Sequence, residues 1–179
     1  PLGNPALHRP TEDRLRAIFD EGKPDWLDHY AAVGLSAERV VALLDTQGFF
    51  ELLEIPYPTD RTGVIDRLRS ERLLDHDRDG LAIRRSGAIL LAKQLADFPD
   101  LARKALRVVV YTGPSKLETR LDHTITRGYA VGFQEMIGFV MAQLPQNEVI
   151  EGALRKTMKL LPEVVIRELV ANALIHQDL

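Results

Sequence analysis

The sequence predicts an α+β fold dominated by helices, with a winged-helix-like N-terminal part followed by a small α/β part. Three patterns support this expectation. A helical pattern leads into the hairpin signal Asp79-Gly80. Residues 106–111 form the most β-prone run, and residues 133–144 are apolar with helical spacing. We expect one domain over residues 4–98 and a second part over residues 99–179.

Helix starts and breaks divide the beginning of the chain. Thr11 and Ser36 stand just before acidic residues and predict helix N-caps. Gly48 interrupts the apolar run over residues 38–53, which would divide it into two helices. Pro56 then ends this region, because the residue before a proline disfavours helical backbone.

The elements that follow have the order found at the end of a winged-helix fold. Asp60 or Thr62 can cap the first helix, and the Asp79-Gly80 hairpin comes next. Ser86 is expected to cap the following helix, over residues 87–95. The hairpin would be the wing and the second helix its exit.

The C-terminal part alternates between extended and helical patterns. Residues 115–127 are polar and basic and predict a loop or a strand edge, whereas residues 149–160 suit a helix or an extended segment. Glycines four positions apart, at Gly128 and Gly132, favour close helix packing over a phosphate-binding loop. Pro162 suits the first turn of a final helix.

Composition indicates a cytoplasmic protein without membrane contact. Of 179 residues, 45% are hydrophobic, which is enough to bury a core. The charged fraction, 27%, is ordinary for a soluble protein. The chain has no cysteine, which excludes disulfides and thiolate metal sites. No apolar run approaches the roughly 20 residues that a membrane helix needs. Residues 1–3 resemble the scar of a cleaved expression tag and are left out of the fold.

Charge is distributed unevenly along the chain. The net charge is −3, with −6 over residues 1–60, +1 over 61–102 and +2 over 103–179. Bulk attraction to DNA is therefore not expected, and any contact with DNA would come from a local patch.

Two stretches supply candidate nucleic-acid contacts. Seven basic and six acidic side chains alternate over residues 60–85, so a winged helix used for packing or dimerisation is the favoured alternative there. A solvated loop is the alternative for the basic stretch over 103–127. The candidate contacts are Arg61, Arg67, Arg69, Arg84, Arg85, Lys116, Arg120 and Arg127.

The final helix carries the most informative pattern. Glu168, Asn172 and His176 lie at successive i+4 steps on one face. A carboxylate that orients water and an amide oxygen that ligates Mg²⁺ are a pair that a nucleotide site needs; an exposed helix with two polar residues is the alternative. His176 and Asp178 lack the third ligand of a metal site. The expected apolar face consists of Ile166, Leu169, Val170, Ala173 and Leu174.

Residues 167–173, Arg-Glu-Leu-Val-Ala-Asn-Ala, resemble the N-box of the histidine-kinase/gyrase/Hsp90 type of ATPase. With further phrases, this run is similar to bacterial proteins that carry an N-terminal Schlafen-AlbA nucleic-acid-binding domain, which are described as transcriptional regulators or RecG-like helicases. The resemblance covers roughly residues 10 to 179. The further phrases are Asp-Trp-Leu-Asp at 25–28, Gly-Ala-Ile-Leu-Leu-Ala-Lys at 87–93, Arg-Val-Val-Val-Tyr-Thr-Gly at 107–113, Gly-Tyr-Ala-Val-Gly-Phe at 128–133 and Ile-His-Gln-Asp at 175–178.

The resemblance implies specific roles in a longer protein. Glu168 would be the catalytic residue that polarises the attacking water, and Asn172 would bind the nucleotide by ligating Mg²⁺, so that ATP and Mg²⁺ are the cofactors. This chain would connect a Schlafen-AlbA domain to the ATPase-like domain. Because the adenine-contacting segment and the phosphate lid would lie downstream, no cofactor and no enzyme activity are expected of the chain itself.

Three hypotheses follow. The chain is a connecting and DNA-contacting module of a transcriptional regulator, or it transmits the nucleotide state of an ATP-dependent, helicase-like enzyme. The third possibility is an oligomerisation module without DNA contact, using the apolar helices over residues 36–53 and 133–144. DNA and a second copy of the chain are the expected partners.

Overall fold

The computed structural model describes residues 26–113, 118–144, 146–151, 154–159 and 161–177. These residues form an α+β fold, as predicted. The predicted N-cap at Thr11 and the tag-like residues 1–3 lie outside the described residues. The α-helices are α1 (Ala37–Leu43), α2 (Thr46–Leu52), α3 (Arg61–Ser70), α4 (Arg85–Leu91), α5 (Tyr129–Gln143) and α6 (Glu163–Ile175).

The described strands form three antiparallel sheets. A three-stranded sheet has the order β1-β3-β2, and β4-β5 and β6-β7 are two-stranded. Short 3-10 helices occupy Trp26–Asp28, Leu95–Asp97 and Ala102–Lys104. The strands are β1 (Tyr30–Leu35), β2 (Leu74–Asp77), β3 (Gly80–Arg84), β4 (Leu106–Tyr111), β5 (Thr119–Ile125), β6 (Gln146–Glu151) and β7 (Leu154–Lys159).

The hairpin predicted at Asp79-Gly80 is confirmed. Strands β2 and β3 pair from Leu74–Ile83 to Asp77–Gly80, with Arg78 and Asp79 in the turn. Gly80 has φ 148°, and a Cβ there would lie 2.8 Å from the carbonyl oxygen of Leu35. Only glycine fits this position, because the backbone of β1 passes so close.

Side-chain caps start three of the helices. Ser36 Oγ accepts a hydrogen bond from the Arg39 amide, and Asp60 Oδ1 accepts one from the Gly63 amide, which confirms both predicted caps. The division between α1 and α2 was predicted at Gly48, which is wrong. It lies at Leu44–Asp45, where Asp45 caps α2, and Gly48 is inside that helix and donates its amide to Asp45 Oδ1.

The cap predicted at Ser86 is also wrong. Strand β3 continues directly into α4, whose first residue is Arg85, so Ser86 already lies inside the helix. Arg84 occupies the cap position and makes no side-chain capping hydrogen bond. The helix ends at Leu91, earlier than the predicted residue 95, because the backbone turns extended at Ala92, which forms an antiparallel β-bridge with Leu44.

The C-terminal elements resolve two open predictions. Residues 119–125 form strand β5, which pairs with β4, and residues 146–159 contain the β6-β7 hairpin, so the extended alternative holds for the segment before Leu160. Helix α5 begins at Tyr129, before the predicted residue 133. Gly128 and Gly132 do serve close packing, since a Cβ on Gly132 would lie 2.7 Å from Ile125 Cγ2.

The main core lies between helices α1 to α4 and the three-stranded sheet. Leu44, Leu68 and Ile83 are fully buried in it, and each such side chain contributes about 1.5–3 kcal/mol. Tyr129 of α5 is buried in the same cluster, and Leu174 of α6 packs against it. The core thus extends beyond residue 98 into the C-terminal part.

A second, smaller cluster joins α5 to α6. Ile137, Met141 and Ile166 are buried in it. On α6 the inward stripe consists of buried Ile166 and half-buried Val170 and Leu174, at i+4 spacing. The prediction that Leu169 and Ala173 belong to this stripe is wrong, because both are exposed, Leu169 by 60%. Among the described residues, no helix has the length and apolar character to cross a membrane.

Candidate functional site

The three candidate arginines of α3 lie beside carboxylates. Arg61 Nη1 lies 2.8 Å from Glu38 Oε1 on α1. Arg67 pairs with Glu71 at 2.6 Å, and Arg69 pairs with Asp66 at 3.5 Å. All three pairs are on the surface, where such an ion pair contributes about 0–1 kcal/mol. These arginines can therefore exchange a carboxylate for a phosphate at little cost.

Arg84 and Arg85 are more firmly engaged. Arg84 bridges Asp28 and Asp75 at 2.8 and 2.7 Å, and its side chain is only 22% exposed. Arg85 pairs with Asp100, and its guanidinium lies 4.7 Å from the Trp26 ring centroid. Cation–π stacking and ion pairing together hold the Trp26–Asp28 segment against the body, so both arginines have a structural role in this chain.

Two further arginines are more available for an external anion. Arg72 follows α3, with φ 57°, and Arg78 lies in the β2-β3 turn. Both residues are exposed. Neither side chain has a hydrogen bond or ion pair within the described part of the chain. The sequence could not separate them from the paired arginines, because which arginine meets which carboxylate depends on the tertiary fold.

The second basic stretch does not form one patch in the described residues. Lys116 lies outside them. Arg120 donates to Gln143 Oε1 at the end of α5, and Arg127 pairs with Asp45 at the start of α2. Arg107 forms a two-point contact with Asp122 across the β4-β5 ladder. These side chains therefore link elements of the fold.

The polar face of α6 is open to solvent. Glu168 and Asn172 are both exposed, and Asn172 Nδ2 donates to Glu168 Oε1 at 3.0 Å. His176 is also exposed on this helix. Within the described part of the chain, this bond from the amide nitrogen to the carboxylate is the only side-chain hydrogen bond of the two residues.

The side of α6 that adjoins this polar face borders two cavities. Arg167 lines one with a volume of about 530 Å³. Ala171, Leu174 and Ile175 line another of about 460 Å³. Glu168 and Asn172 line neither cavity.

A metal site receives no support from acidic and imidazole side chains. Among the described residues, no three His, Asp or Glu side chains come together closely enough to hold a metal ion. Asp178, the possible partner of His176, lies outside those residues.

No protein-family model matches this chain, and no curated protein or solved structure is significantly similar to it. The resemblance described above therefore depends on the motifs alone.

Proposed function

We propose that this chain is the connecting and DNA-contacting module of a bacterial transcriptional regulator of the Schlafen-AlbA type, acting in the cytoplasm. The observation that carries the proposal is the path of residues 30–84. A strand, three helices and a hairpin follow one another, and the sheet order is β1-β3-β2. This order resembles that of a winged helix and supports the proposal that α3 enters the DNA groove and that the β2-β3 hairpin is the wing.

The charges on this surface support contact with the phosphate backbone. Arg72, after α3, and Arg78, in the wing, have no side-chain hydrogen bond or ion pair within the described part of the chain. Neither would have to break such a contact in order to bind a phosphate. Arg61 and Arg69 have only surface ion pairs, which cost little to exchange. The surrounding carboxylates keep the net charge low, so affinity should be modest and strongly salt-dependent.

Fluorescence anisotropy with a labelled DNA duplex tests this function. The logarithm of the binding constant should fall linearly with the logarithm of the salt concentration. Replacing both Arg72 and Arg78 by glutamine should lower the salt slope by about two, because each phosphate contact contributes about one. Arg103→Gln removes the same kind of charge from an exposed side chain of the 3-10 helix Ala102–Lys104, outside α3 and the β2-β3 hairpin, and should leave the slope unchanged. Equal slopes for all variants would reject this DNA-contact surface.

An ATP-dependent enzyme is the second candidate, favoured by the exposed pair Glu168 and Asn172. In a longer protein, Asn172 would ligate Mg²⁺ and Glu168 would orient the attacking water. Hydrolysis of ATP should then be lost in Glu168→Gln. Glu163→Gln, in the first turn of the same helix, is the matched control and should retain activity. ATP turnover that survives in Glu168→Gln would contradict the assigned role.

Self-association is proposed through a different surface from the one expected from the sequence pattern. The apolar side chains of α1, α2 and α5 are largely buried inside the chain. Helix α6 instead exposes Val164, Leu169 and Ile175, by 69%, 60% and 73%. Light scattering at increasing concentration should show a dimer that Leu169→Glu disrupts.

A further inference from the structure

The two cavities beside α6 meet at a shared wall. Leu52 of α2 and Ala130 and Phe133 of α5 line both of them. Helix α6 runs along both as well, since it contributes Arg167 to the first and Ala171 and Leu174 to the second. The cavities are therefore consecutive parts of one trough between α6 and the body.

The trough is apolar along one part. Ile89 and Leu90 of α4, Ala130 of α5, and Leu174 and Ile175 of α6 form its walls. Leu90 and Ile175 are 37% and 73% exposed. Water in contact with these side chains can be displaced favourably by an alkyl chain, at about 25 cal/mol per Å² of apolar surface buried.

The other part of the trough presents a cation. Arg167 donates to Gln134 Oε1 at 2.6 Å, lies 5.2 Å from the Phe133 ring centroid, and stands 3.7 Å from Glu163 Oε1. The distance to its carboxylate partner, Glu163, is thus near the upper limit for an ion pair. Arg127, in contrast, is paired with Asp45.

The acidic residues of this part already have partners. Glu51 Oε1 accepts a hydrogen bond from Gln47, and Asp45 accepts from the Gly48 amide and from Arg127. Arg167 is therefore the group best placed to meet an incoming anion.

We propose that this trough binds a fatty-acid-like carboxylate, with its alkyl chain against the apolar wall and its carboxylate at Arg167. Arginine suits this role because its planar guanidinium can donate two hydrogen bonds to one carboxylate. Ile175 is eight positions beyond Arg167, a rise of about 12 Å along the helix, which sets the length of a medium alkyl chain. This site is independent of the proposed DNA surface, which lies on α3 and the wing.

Titration calorimetry with decanoate, below its micelle-forming concentration, tests the proposal on the 179-residue chain. Decanoate should bind about fivefold more tightly than decanol, which has the same chain without the charge. Decyltrimethylammonium, with the opposite charge, should bind more weakly than decanol. Absence of decanoate binding, or equal binding of the three compounds, would overturn the proposal.

Two arginine variants separate the site from a general charge effect. Arg167→Gln should abolish the difference between decanoate and decanol. Arg69→Gln removes the same charge from a side chain of similar exposure on α3, 39% against 43%, and should keep the difference. Ala171→Phe fills the apolar part and should weaken decanoate and decanol alike. The site is excluded if Arg167→Gln and Arg69→Gln bind decanoate identically.

Discussion

Gly128 is in backbone contact with Leu90. A Cβ on Gly128 would stand 2.5 Å from both the carbonyl carbon and the carbonyl oxygen of Leu90. The Gly128 amide also donates to Ala92 O at 2.8 Å. The start of α5 is thereby fixed against the end of α4, which places α5, and the cavities along it, on the main core.

This contact predicts a large effect of a single methyl group. Gly128→Ala should destabilise the protein by about 1–3 kcal/mol, because the neighbouring atoms are backbone and cannot move aside. Gly138→Ala is the control within the same helix, since a Cβ there meets no atom within 4 Å. It should be neutral or stabilising by up to about 1 kcal/mol. Urea unfolding followed by circular dichroism measures both, and equal effects would contradict the contact.

Asp45 has two roles that substitutions can separate. Its Oδ1 caps α2 through the Gly48 amide, and its Oδ2 pairs with Arg127. Asp45→Ala should lose both interactions and cost about 1–2 kcal/mol. Asp45→Asn keeps a capping oxygen but loses the ion pair with Arg127. It should therefore cost less than Asp45→Ala, and about as much as Arg127→Gln. Equal unfolding free energies for the Ala and Asn variants would show that the cap contributes nothing.

The Arg107–Asp122 pair predicts a pH dependence. The hydrogen bond from Arg107 is the main cause that lowers the pKa of Asp122; desolvation opposes it, and the attraction between the two charges adds a smaller lowering. Because the folded pKa lies below the unfolded value of about 3.9, the stabilisation is present above that value. It is lost as the pH falls through the folded pKa.

A carboxyl titration followed by NMR measures this shift. Arg107→Gln should return the pKa of Asp122 towards its usual value. Arg103→Gln, which removes a positive charge four positions before Arg107 that does not contribute to the shift of Asp122, should leave the pKa low. A pKa of Asp122 that stays the same in Arg107→Gln would rule out this cause.

The orientation of α6 predicts opposite results for two apolar residues. Ile166 is 6% exposed in the smaller core cluster, so Ile166→Ala should cost about 2–4 kcal/mol. Leu169→Ala should change the unfolding free energy by less than about 0.5 kcal/mol, since its side chain is mostly in solvent. Chemical unfolding of the isolated chain at low protein concentration measures the unfolding free energies of both variants. A larger loss for Leu169→Ala would mean that its face is covered.

Local signals were predictable because they depend on neighbouring residues. Ser36 and Asp60 cap their helices as expected, and Gly80 begins β3 directly after the hairpin turn. Competition between local signals was harder to judge. Asp45, which supplies a capping oxygen, set the helix break in preference to Gly48, and the continuation of β3 into α4 displaced the cap at Ser86.

Long-range pairing could not be predicted from the sequence. Arg84 meets Asp28 across 56 positions, and Arg127 meets Asp45 across 82. The pattern of α6 also offered more apolar positions than one buried stripe can hold, so it could not exclude Leu169. Glu168 and Asn172 were placed correctly on one face, because i+4 spacing is a property of the helix itself.

Ile166 and Leu174 lie two turns apart on α6 and contact different buried clusters. Turning α6 by a single residue, about 100°, would withdraw both side chains together. The helix is therefore held at one rotational setting, and the outward direction of Glu168 and Asn172 is fixed before any partner arrives. A domain that docks on this face would meet a prearranged orientation and would not have to spend binding energy to create it.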